Sequence, residues 1–259
     1  MINENPIGLF DSGIGGTSIW KEVHALMPYE NTIYLADSKN APYGLKSKDE
    51  IIALSCKNTE FLLENNCKII VVACNTATTN AIKELRAKYN VPFIGIEPAI
   101  KPAALQSKTQ TIGILATKGT LNSELFHKNV ANHPDVKIIE QIGHGLVQLI
   151  ENGDMNSAEM EELLKSYLNP MVEKNIDYLV LGCRHYPYLI PQIKKIIPPQ
   201  IKIIDSGEAV AKQTQKILEQ NKLLNLSKRK SSQIFYTNSE PEVLKNILEN
   251  NETVIYKNF

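Results

Sequence analysis

The sequence lacks the features that mark nucleic-acid-binding, membrane-spanning and disulfide-stabilised proteins. Its 28 lysines and arginines balance 28 aspartates and glutamates, so no net charge favours nucleic acid or an acidic membrane surface. No apolar stretch approaches the length of a membrane span, and the first ten residues carry neither the basic region nor the apolar core of a secretory signal. The four cysteines show no CxxC spacing, and a chain of 259 residues needs no disulfide framework. These absences predict a soluble globular protein of the reducing cytoplasm.

The usual nucleotide-binding motifs are also missing. No GxxxxGK[ST] sequence is present, which excludes a P-loop. The glycine-rich turn at residues 13–16 follows an apolar run and precedes a helical pattern, as in dinucleotide-binding folds. However, Ser18 stands where the third glycine of that motif belongs, and Asp11 would repel a pyrophosphate. NAD-type binding is therefore disfavoured.

What is present is a repeated alternation of strand and helix patterns. Short apolar, often β-branched runs predict strands at residues 6–10, 32–36, 69–72, 92–96, 111–115, 136–141, 178–182, 201–204, 233–237 and 254–256. Amphipathic patterns predict helices at residues 17–26, 47–65, 77–89, 143–152, 158–175, 189–196, 208–220 and 241–250, and one that begins near residue 122. We expect Thr17 or Ser18 to cap the first helix, a capping box at Ser47 and Glu50, and an interruption or bend at Pro170. Residues 221–232 are polar and lysine-rich, as in a linker.

Repeated βα units predict an α/β fold with parallel sheets and right-handed crossovers. The pattern restarts at about residue 111, and each half contains one buried strand that ends in a cysteine. Two halves of similar length therefore indicate an internal duplication.

Cys74 and Cys183 stand out from the other two cysteines. Each closes an apolar strand and is followed by polar residues, an amide and a hydroxyl after Cys74, and an arginine and a histidine after Cys183. Ligands of open α/β sheets bind just past the carboxyl ends of the strands. Cys56 and Cys67 have no polar company, so we interpret them as packing residues. The sequence thus predicts two thiols at ligand-binding positions.

Two thiols across a cleft suit metal-free acid/base chemistry. A thiol needs polar or cationic neighbours to become a usable thiolate, which Arg184 and His185 can supply for Cys183, while Asp11 can accept or pass a proton near Cys74. Removing a proton from a carbon and returning it on the opposite face needs one base on each side, within hydrogen-bond reach. A duplicated fold supplies both sides.

Other polar groups at these strand ends can hold carboxylates. They are side-chain amides and hydroxyls that lie near predicted helix starts, where backbone N–H groups are free: Ser12, Asn75, Thr76, Thr117 and Thr120. A zinc site of Cys74, Cys183 and His185 with one open position is the alternative. It lacks the local ligand spacing typical of zinc sites, so we expect no metal.

An ordered set of segments resembles the glutamate racemase family. The main ones are FDSGIGG at residues 10–16, PYG at 42–44, VACNTA at 72–77 and GCRHYP at 182–187, supported by GIEPA at 95–99, ATKGT at 116–120 and IDSGE at 204–208. The resemblance implies a cofactor-independent racemase that interconverts L- and D-glutamate and supplies D-glutamate for bacterial peptidoglycan. It also implies two similar, pseudo-symmetric α/β domains, residues 1–97 plus 208–259 and residues 98–207, with the active site in the cleft between them. By family analogy a homodimer is possible.

The resemblance also assigns roles by position. Cys74 and Cys183 would be the two catalytic acid/bases, Cys74 acting on D-glutamate and Cys183 on L-glutamate. Asp11 would assist Cys74, and His185 would assist Cys183. Acidic groups in the same proton handling would be Asp37 and Glu151. Substrate contacts would be Asp11, Ser12, Tyr43, Gly44, Asn75, Thr76, Thr117, Thr120, Arg184 and His185.

Arg184 departs from the family pattern, which has threonine at this position. The chain contains only three arginines, so an arginine beside Cys183 is notable. Its guanidinium can grip a substrate carboxylate, exclude glutamate in favour of a shorter acid, or extend into solvent. Three functions therefore stay open: a glutamate racemase with altered kinetics, a related racemase such as one for aspartate, and a silent relative that binds an amino acid or a protein. The presence of both cysteines disfavours the third.

Overall fold

The computed structural model describes residues 3–227, 229–249 and 252–259. Within these ranges, strands and helices alternate along the chain. The strands are β1 Ile7–Asp11, β2 Thr32–Ala36, β3 Ile69–Val72, β4 Phe93–Gly95, β5 Thr111–Ala116, β6 Lys137–Ile142, β7 Tyr178–Gly182, β8 Lys202–Ile204, β9 Gln233–Thr237 and β10 Thr253–Tyr256. The α-helices are α1 Thr17–Leu26, α2 Lys48–Glu64, α3 Asn75–Lys88, α4 Ile100–Gln106, α5 Lys118–Leu121, α6 Glu124–Ala131, α7 Leu146–Glu151, α8 Ala158–Glu173, α9 Ile190–Ile196, α10 Gly207–Gln220 and α11 Pro241–Ile247.

The strands form two parallel sheets with the same internal order. The first sheet runs β10-β9-β2-β1-β3-β4 and the second β6-β5-β7-β8. Every strand pair is parallel. The order β2-β1-β3-β4 thus recurs as β6-β5-β7-β8, which confirms the predicted pseudo-symmetric α/β fold. We call the part that carries the six-stranded sheet the first half and the part that carries the four-stranded sheet the second half.

The strands that precede the two cysteines occupy equivalent positions. β3 and β7 are each flanked by strands on both sides, and every residue of both is buried. Their near-continuous apolar sequences follow from this, because helices cover both faces of a parallel sheet. Cys74 and Cys183 lie just past the carboxyl ends of these strands, so the fold places one thiol at the same edge of each sheet.

The strands of each sheet fall inside the two predicted domains. Those of the first sheet come from residues 7–95 and 233–256, and those of the second from residues 111–204. The domain boundaries at 97–98 and 207–208 stay a prediction. The predicted end of the last helix at residue 250 lies outside the described residues, as does residue 228 of the predicted linker.

The starts of two helices differ from the prediction. α1 is capped by Gly16 and not by a hydroxyl side chain, since Thr17 and Ser18 donate back to the carbonyls of Ile14 and Gly15 at 2.6 and 2.9 Å. α3 begins at Asn75, two residues before the predicted start at residue 77. The sulfur of Cys74 caps it by accepting a hydrogen bond from the backbone N–H of Ala77 at 3.4 Å. The capping box of α2 at residues 47 and 50 is confirmed.

Three further details of the helices differ from the prediction in whole or in part. α4 was not predicted, although its Pro102 lies in the first turn, where proline is tolerated. The helix expected from residue 122 is split into α5 and α6, because Ser123 caps a new helix. α8 continues through Pro170 without the interruption, and the alternative of a bend there stays a prediction. In the part of the chain that the structure describes, no helix is long and apolar enough to cross a membrane.

Candidate active site

Cys74 and Cys183 line one small cavity between the two halves. Both are buried, with 5% and 6% of their surface exposed. The cavity measures about 10 Å³, room for about one water molecule. Its walls are Asp11, Ser12, Pro42, Tyr43, Gly44, Cys74, Asn75, Thr76, Thr117, Val147, Cys183, Arg184 and His185. The structure therefore brings most of the predicted site residues to one place, with one thiol from each half.

Cys74 lies in a setting that favours the protonated thiol. Its Sγ donates to the hydroxyl of Ser12 at 3.6 Å and accepts from the N–H of Ala77. Burial, together with the negative charge of Asp11, raises the pKa of Cys74 above that of an ordinary thiol. Cys74 therefore holds its proton as a neutral thiol, and it needs a neighbouring proton acceptor to become a base.

Asp11 is a proton acceptor beside Ser12 and Cys74. Its Oδ2 accepts a hydrogen bond from the N–H of Gly16 at 2.9 Å, and its Oδ1 lies 3.5 Å from the hydroxyl of Ser12. Burial raises the pKa of Asp11 above its usual value, although the positive charge of His185 and the bond from Gly16 act in the opposite direction. A carboxyl with a raised pKa is suited to exchange protons with a thiol.

Cys183 contacts His185, which in turn contacts Glu151. Its Sγ lies 3.7 Å from Nδ1 of His185, and Nε2 of His185 lies 2.5 Å from Oε1 of Glu151. Burial alone would lower the pKa of His185, but the bonds to Cys183 and Glu151 raise it well above the ordinary value. The imidazole is therefore charged near neutral pH, and a charged imidazole stabilises negative charge on the neighbouring sulfur.

The glycine-rich turn explains how the first half approaches this chain. A side chain on Gly13 would overlap the carboxylate of Glu151, and one on Gly15 would overlap the ring of His185. The N–H of Ile14 donates to Oε1 of Glu151 at 2.7 Å. These glycines therefore allow close packing of the backbone against the acid/base groups of the other half, a role different from cradling a pyrophosphate.

Asp37 lies behind Tyr43 and does not line the cavity. Its carboxylate accepts hydrogen bonds from the hydroxyl of Tyr43, from Asn238 at 2.5 Å and from Asn40 at 2.7 Å. Burial and the Asp37 charge raise the pKa of Tyr43 well above its ordinary value, so the phenol stays protonated. Asp37 therefore reaches the cavity through Tyr43, and Glu151 reaches it through His185.

The predicted threonines form a cluster across the two halves. The hydroxyl of Thr76 lies 2.7 Å from that of Thr117 and 3.2 Å from that of Thr120. Thr76 and Thr117 line the cavity, whereas Thr120 is fully buried one layer behind them. Gly44 packs against Thr117, whose Cβ would lie 2.8 Å from a Cβ on this glycine.

Arg184 is buried and bonded to the protein, which excludes one of its three alternatives, extension into solvent. Only 1% of its surface is exposed. Its Nε donates to Oδ1 of Asn75 at 3.2 Å, Nη2 donates to the carbonyl of Leu181 at 3.0 Å, and Nη1 lies 3.5 Å from Oδ1 of Asp205. The guanidinium thus links the second half to the first.

Two cavity residues were missed from the sequence, Pro42 and Val147. Val147 lies four residues before Glu151 on α7, the spacing that places two side chains on one helix face, and this signal could have identified it. The described ranges contain no group of three or more histidine, cysteine, aspartate or glutamate side chains arranged to hold a metal ion. The zinc alternative therefore gains no support from the geometry.

Comparison with known proteins places the chain in a family. The sequence model of the Asp/Glu/hydantoin racemase family matches residues 17–214. The glutamate racemase of Herpetosiphon aurantiacus is 42% identical over 241 residues, which cover 93% of this chain and 95% of that protein. The glutamate racemase of Ralstonia pickettii is 48% identical over 208 residues, 80% of this chain and 74% of that protein.

Solved structures agree with the sequence comparison. A glutamate racemase isoform from Bacillus anthracis superposes with a TM-score of 0.89 at 29% identity, covering 99% of this chain and 98% of that one. The Escherichia coli glutamate racemase, solved with L-glutamate and an activator, gives 0.86 at 31% identity and covers 98% of both chains. The chain therefore belongs to the glutamate racemases of the Asp/Glu/hydantoin racemase family.

Proposed function

We propose that this protein interconverts L- and D-glutamate by two-thiol acid/base catalysis without a cofactor. The observation that carries the proposal is the placement of Cys74 and Cys183. They follow topologically equivalent strands of two pseudo-symmetric halves and line the same cavity. This arrangement supports access to opposite faces of one α-carbon, which an inversion at that carbon requires.

In the direction from L-glutamate, Cys183 acts as the base. Its thiolate, stabilised by the charged His185, takes the α-proton, so the C–H bond breaks and an S–H bond forms. The electron pair is delocalised from Cα into the adjacent carboxylate. The neutral Cys74 thiol then donates its proton to the opposite face, which leaves Cys74 as the thiolate and Cys183 as the thiol, the protonation states from which the reverse direction starts. Before the next turnover of L-glutamate, Cys183 releases its proton to solvent and Asp11 relays a proton from solvent to Cys74. The reverse direction exchanges the two roles.

The polar walls of the cavity bind the amino acid in this proposal. Ser12, Asn75, Thr76 and Thr117 supply hydroxyl and amide groups, and the free N–H groups at the start of α3 add a favourable site for a carboxylate. Tyr43 lines the same cavity, and its hydroxyl is bonded to Asp37 and Asn58. Asp11, Gly44 and His185 complete the proposed set of contacts, Arg184 is bonded to Asn75, and Thr120 supports the set from behind.

Substrate entry requires the walls to separate. A cavity of about 10 Å³ is far too small for glutamate. Hydrogen bonds join the two halves, such as those between Thr76 and Thr117 and between Thr17 and Tyr188. We therefore interpret this structure as the closed form, in which the thiols are shielded from bulk water.

The biological setting follows from the family. We propose that the product D-glutamate supplies peptidoglycan synthesis in the cytoplasm, and so supports the cell wall and cell shape. We assign the first domain to residues 1–97 plus 208–259 and the second to residues 98–207. A homodimer is proposed by family analogy and is testable by light scattering.

An aspartate racemase is a less supported alternative. It was left open because Arg184 could shorten the substrate pocket, but the guanidinium is bonded to Asn75, Leu181 and Asp205. The curated relatives reported above are glutamate racemases. An aspartate racemase from Picrophilus torridus shares the fold at 17% identity.

The direct experiment measures the change in optical rotation or circular dichroism of L- and D-glutamate, with L-aspartate as the comparison. We expect racemisation of glutamate in both directions and little of aspartate. Because enantiomers have equal free energy in solution, kcat/KM must be equal in the two directions, so an asymmetry can appear only in kcat and KM separately. No turnover of glutamate by the purified protein would refute the proposal.

A further inference from the structure

We propose that Arg184 is a positioning residue that orients the side-chain amide of Asn75 toward the substrate. Arg184 replaces the threonine of the family pattern, and in this structure it contacts Asn75 from the opposite half. The inference rests on the proposed function, because the group that Asn75 would bind is a carboxylate of glutamate.

The chemistry of the guanidinium fixes which end of the amide faces it. The Nε atom of arginine can only donate a hydrogen bond, so Asn75 must present its oxygen to Arg184, as it does at 3.2 Å. The amide nitrogen of Asn75 must then face away from Arg184. Without that bond, a half-turn of the amide about its terminal torsion would exchange the positions of its oxygen and nitrogen.

The amide nitrogen of Asn75 is buried and unpaired. Its side chain is 2% exposed, and within the described residues Nδ2 has no hydrogen-bond partner. Buried N–H groups are almost always satisfied, and unsatisfied ones call for a specific explanation. Asn75 lines the cavity between the thiols. A carboxylate bound in that cavity supplies the missing acceptor.

The other contacts of Arg184 make it a rigid support. Nη2 is bonded to the carbonyl of Leu181, and Nη1 faces Asp205, whose Oδ1 also accepts from the N–H of Gly207 at 2.6 Å. The hydroxyl of Ser18 in the first half, which donates to Gly15 at 2.9 Å, also lies 3.3 Å from the backbone carbonyl of Arg184. With both the main chain and the guanidinium held, the orientation of Asn75 is set before substrate arrives, which lowers the cost of binding.

The simpler interpretation is that Arg184 only joins the two halves. In that case its loss lowers stability without a selective effect on substrate binding. Coupling between Arg184 and Asn75 separates the two interpretations, because a positioning role acts through Asn75 and a purely structural role does not.

The test uses Arg184→Met, which keeps the length of the side chain and removes its donors, with Asn75→Ala and the double variant. We expect Arg184→Met to raise KM for both enantiomers by about tenfold, with kcat changed by no more than about threefold, because a binding donor is misplaced. In the Asn75→Ala background the same substitution should change KM by less than about twofold.

Two further variants keep the test decisive if Arg184→Met folds poorly. Arg184→Lys keeps the charge near Asp205 but lacks the Nε donor, so it should raise KM at a melting temperature near that of the native protein. Asp205→Asn keeps the bond between Arg184 and Asn75, so its KM should stay within about twofold of native.

An unchanged KM in folded Arg184→Met and Arg184→Lys, or the same increase with and without Asn75, would overturn the inference. If the native protein fails to racemise glutamate, the proposed function fails, and calorimetric binding of D-glutamate then decides the inference. The inference is supported if Arg184→Lys weakens binding of D-glutamate in the native background and does not weaken it in the Asn75→Ala background. It is overturned if the native protein and Arg184→Lys bind D-glutamate equally, or if neither binds it.

Discussion

Nε2 of His185 lies 2.5 Å from Oε1 of Glu151, and the same oxygen accepts a hydrogen bond from the N–H of Ile14 in the other half. Oε2 of Glu151 accepts from the hydroxyl of Ser38, also in the first half, at 2.8 Å. Glu151, which raises the pKa of His185, is therefore hydrogen-bonded to both halves. Proton handling at Cys183 is coupled in this way to the packing of the two halves.

The pH dependence of stability tests the charged state of His185. Because the folded-state pKa of His185 is raised, its stabilising contribution is fully present below about pH 6.5, the unfolded value, and is lost as pH rises through the folded value. Glu151→Gln removes a main cause of the shift. We expect the melting temperature of Glu151→Gln to lie furthest below native near pH 6 and to approach it at alkaline pH.

A matched control for this series is Glu161→Gln, which removes an exposed carboxylate paired with Lys165. Exposed pairs contribute little to stability, so the melting temperature of Glu161→Gln should follow the native curve from pH 6 to the alkaline range. A constant difference between native and Glu151→Gln from pH 6 to the alkaline range would contradict a raised pKa of His185.

The two thiols should be separately essential. Cys74→Ser and Cys183→Ser replace a thiol with a much weaker acid, and each should lower kcat by at least about 100-fold, the scale of general acid/base catalysis. Cys56 lies outside the cavity, so Cys56→Ser should keep near-native activity and serves as the control. Near-native racemisation by either of the first two variants, in steady-state assays of both directions, would rule out its thiol as a catalytic group.

Substitution of Asp11 and substitution of Asp37 should change different kinetic constants. Asp11 lies beside Ser12 and Cys74 and exchanges protons with this thiol in the proposal. Asp11→Asn should therefore lower kcat by more than about tenfold. Asp37 acts through Tyr43, so Asp37→Asn should mainly raise KM, and Tyr43→Phe should reproduce that effect. Steady-state assays that determine kcat and KM separately for the three variants test this prediction. A larger loss of kcat in Asp37→Asn than in Asp11→Asn would place Asp37 in the proton relay and refute this assignment.

The glycine turn should tolerate no side chain at residue 15. A Cβ there would overlap His185, so Gly15→Ala should displace the imidazole and lower kcat by about 100-fold or more, since misplacement by about 1 Å has that scale. Gly153→Asn is the control, because no atom lies within 4 Å of a Cβ at that position and asparagine tolerates its positive φ. Activity of Gly15→Ala near native would show that this contact is dispensable.

The sequence was sufficient to predict the fold and the central pair of the site. Apolar runs such as β3 and β7 identify parallel strands because they are buried on both faces, and their carboxyl ends bring Cys74 and Cys183 to comparable edges. Strand order could not be obtained in this way. The repeat of β2-β1-β3-β4 as β6-β5-β7-β8 depends on long-range pairing, which local periodicity does not encode.

The failures have a common physical origin in contacts between distant residues. Thr17 and Ser18 look like helix caps, but their hydroxyls are bonded to the glycine turn, and Thr17 also contacts Tyr188. Arg184 has the composition of a solvent-facing or ligand-binding group, yet Asn75 and Asp205 bury it. The conformation of such groups depends on the partners that tertiary structure supplies.

The central claim is that two different thiols remove and return the α-proton. We would incubate the protein with L-glutamate in D₂O and determine deuterium at Cα in both enantiomers at early conversion. The account predicts that the D-glutamate formed carries deuterium while the remaining L-glutamate keeps protium, with the mirror result from D-glutamate. Product that retains protium, or deuterium that enters both enantiomers equally from the start, would contradict it.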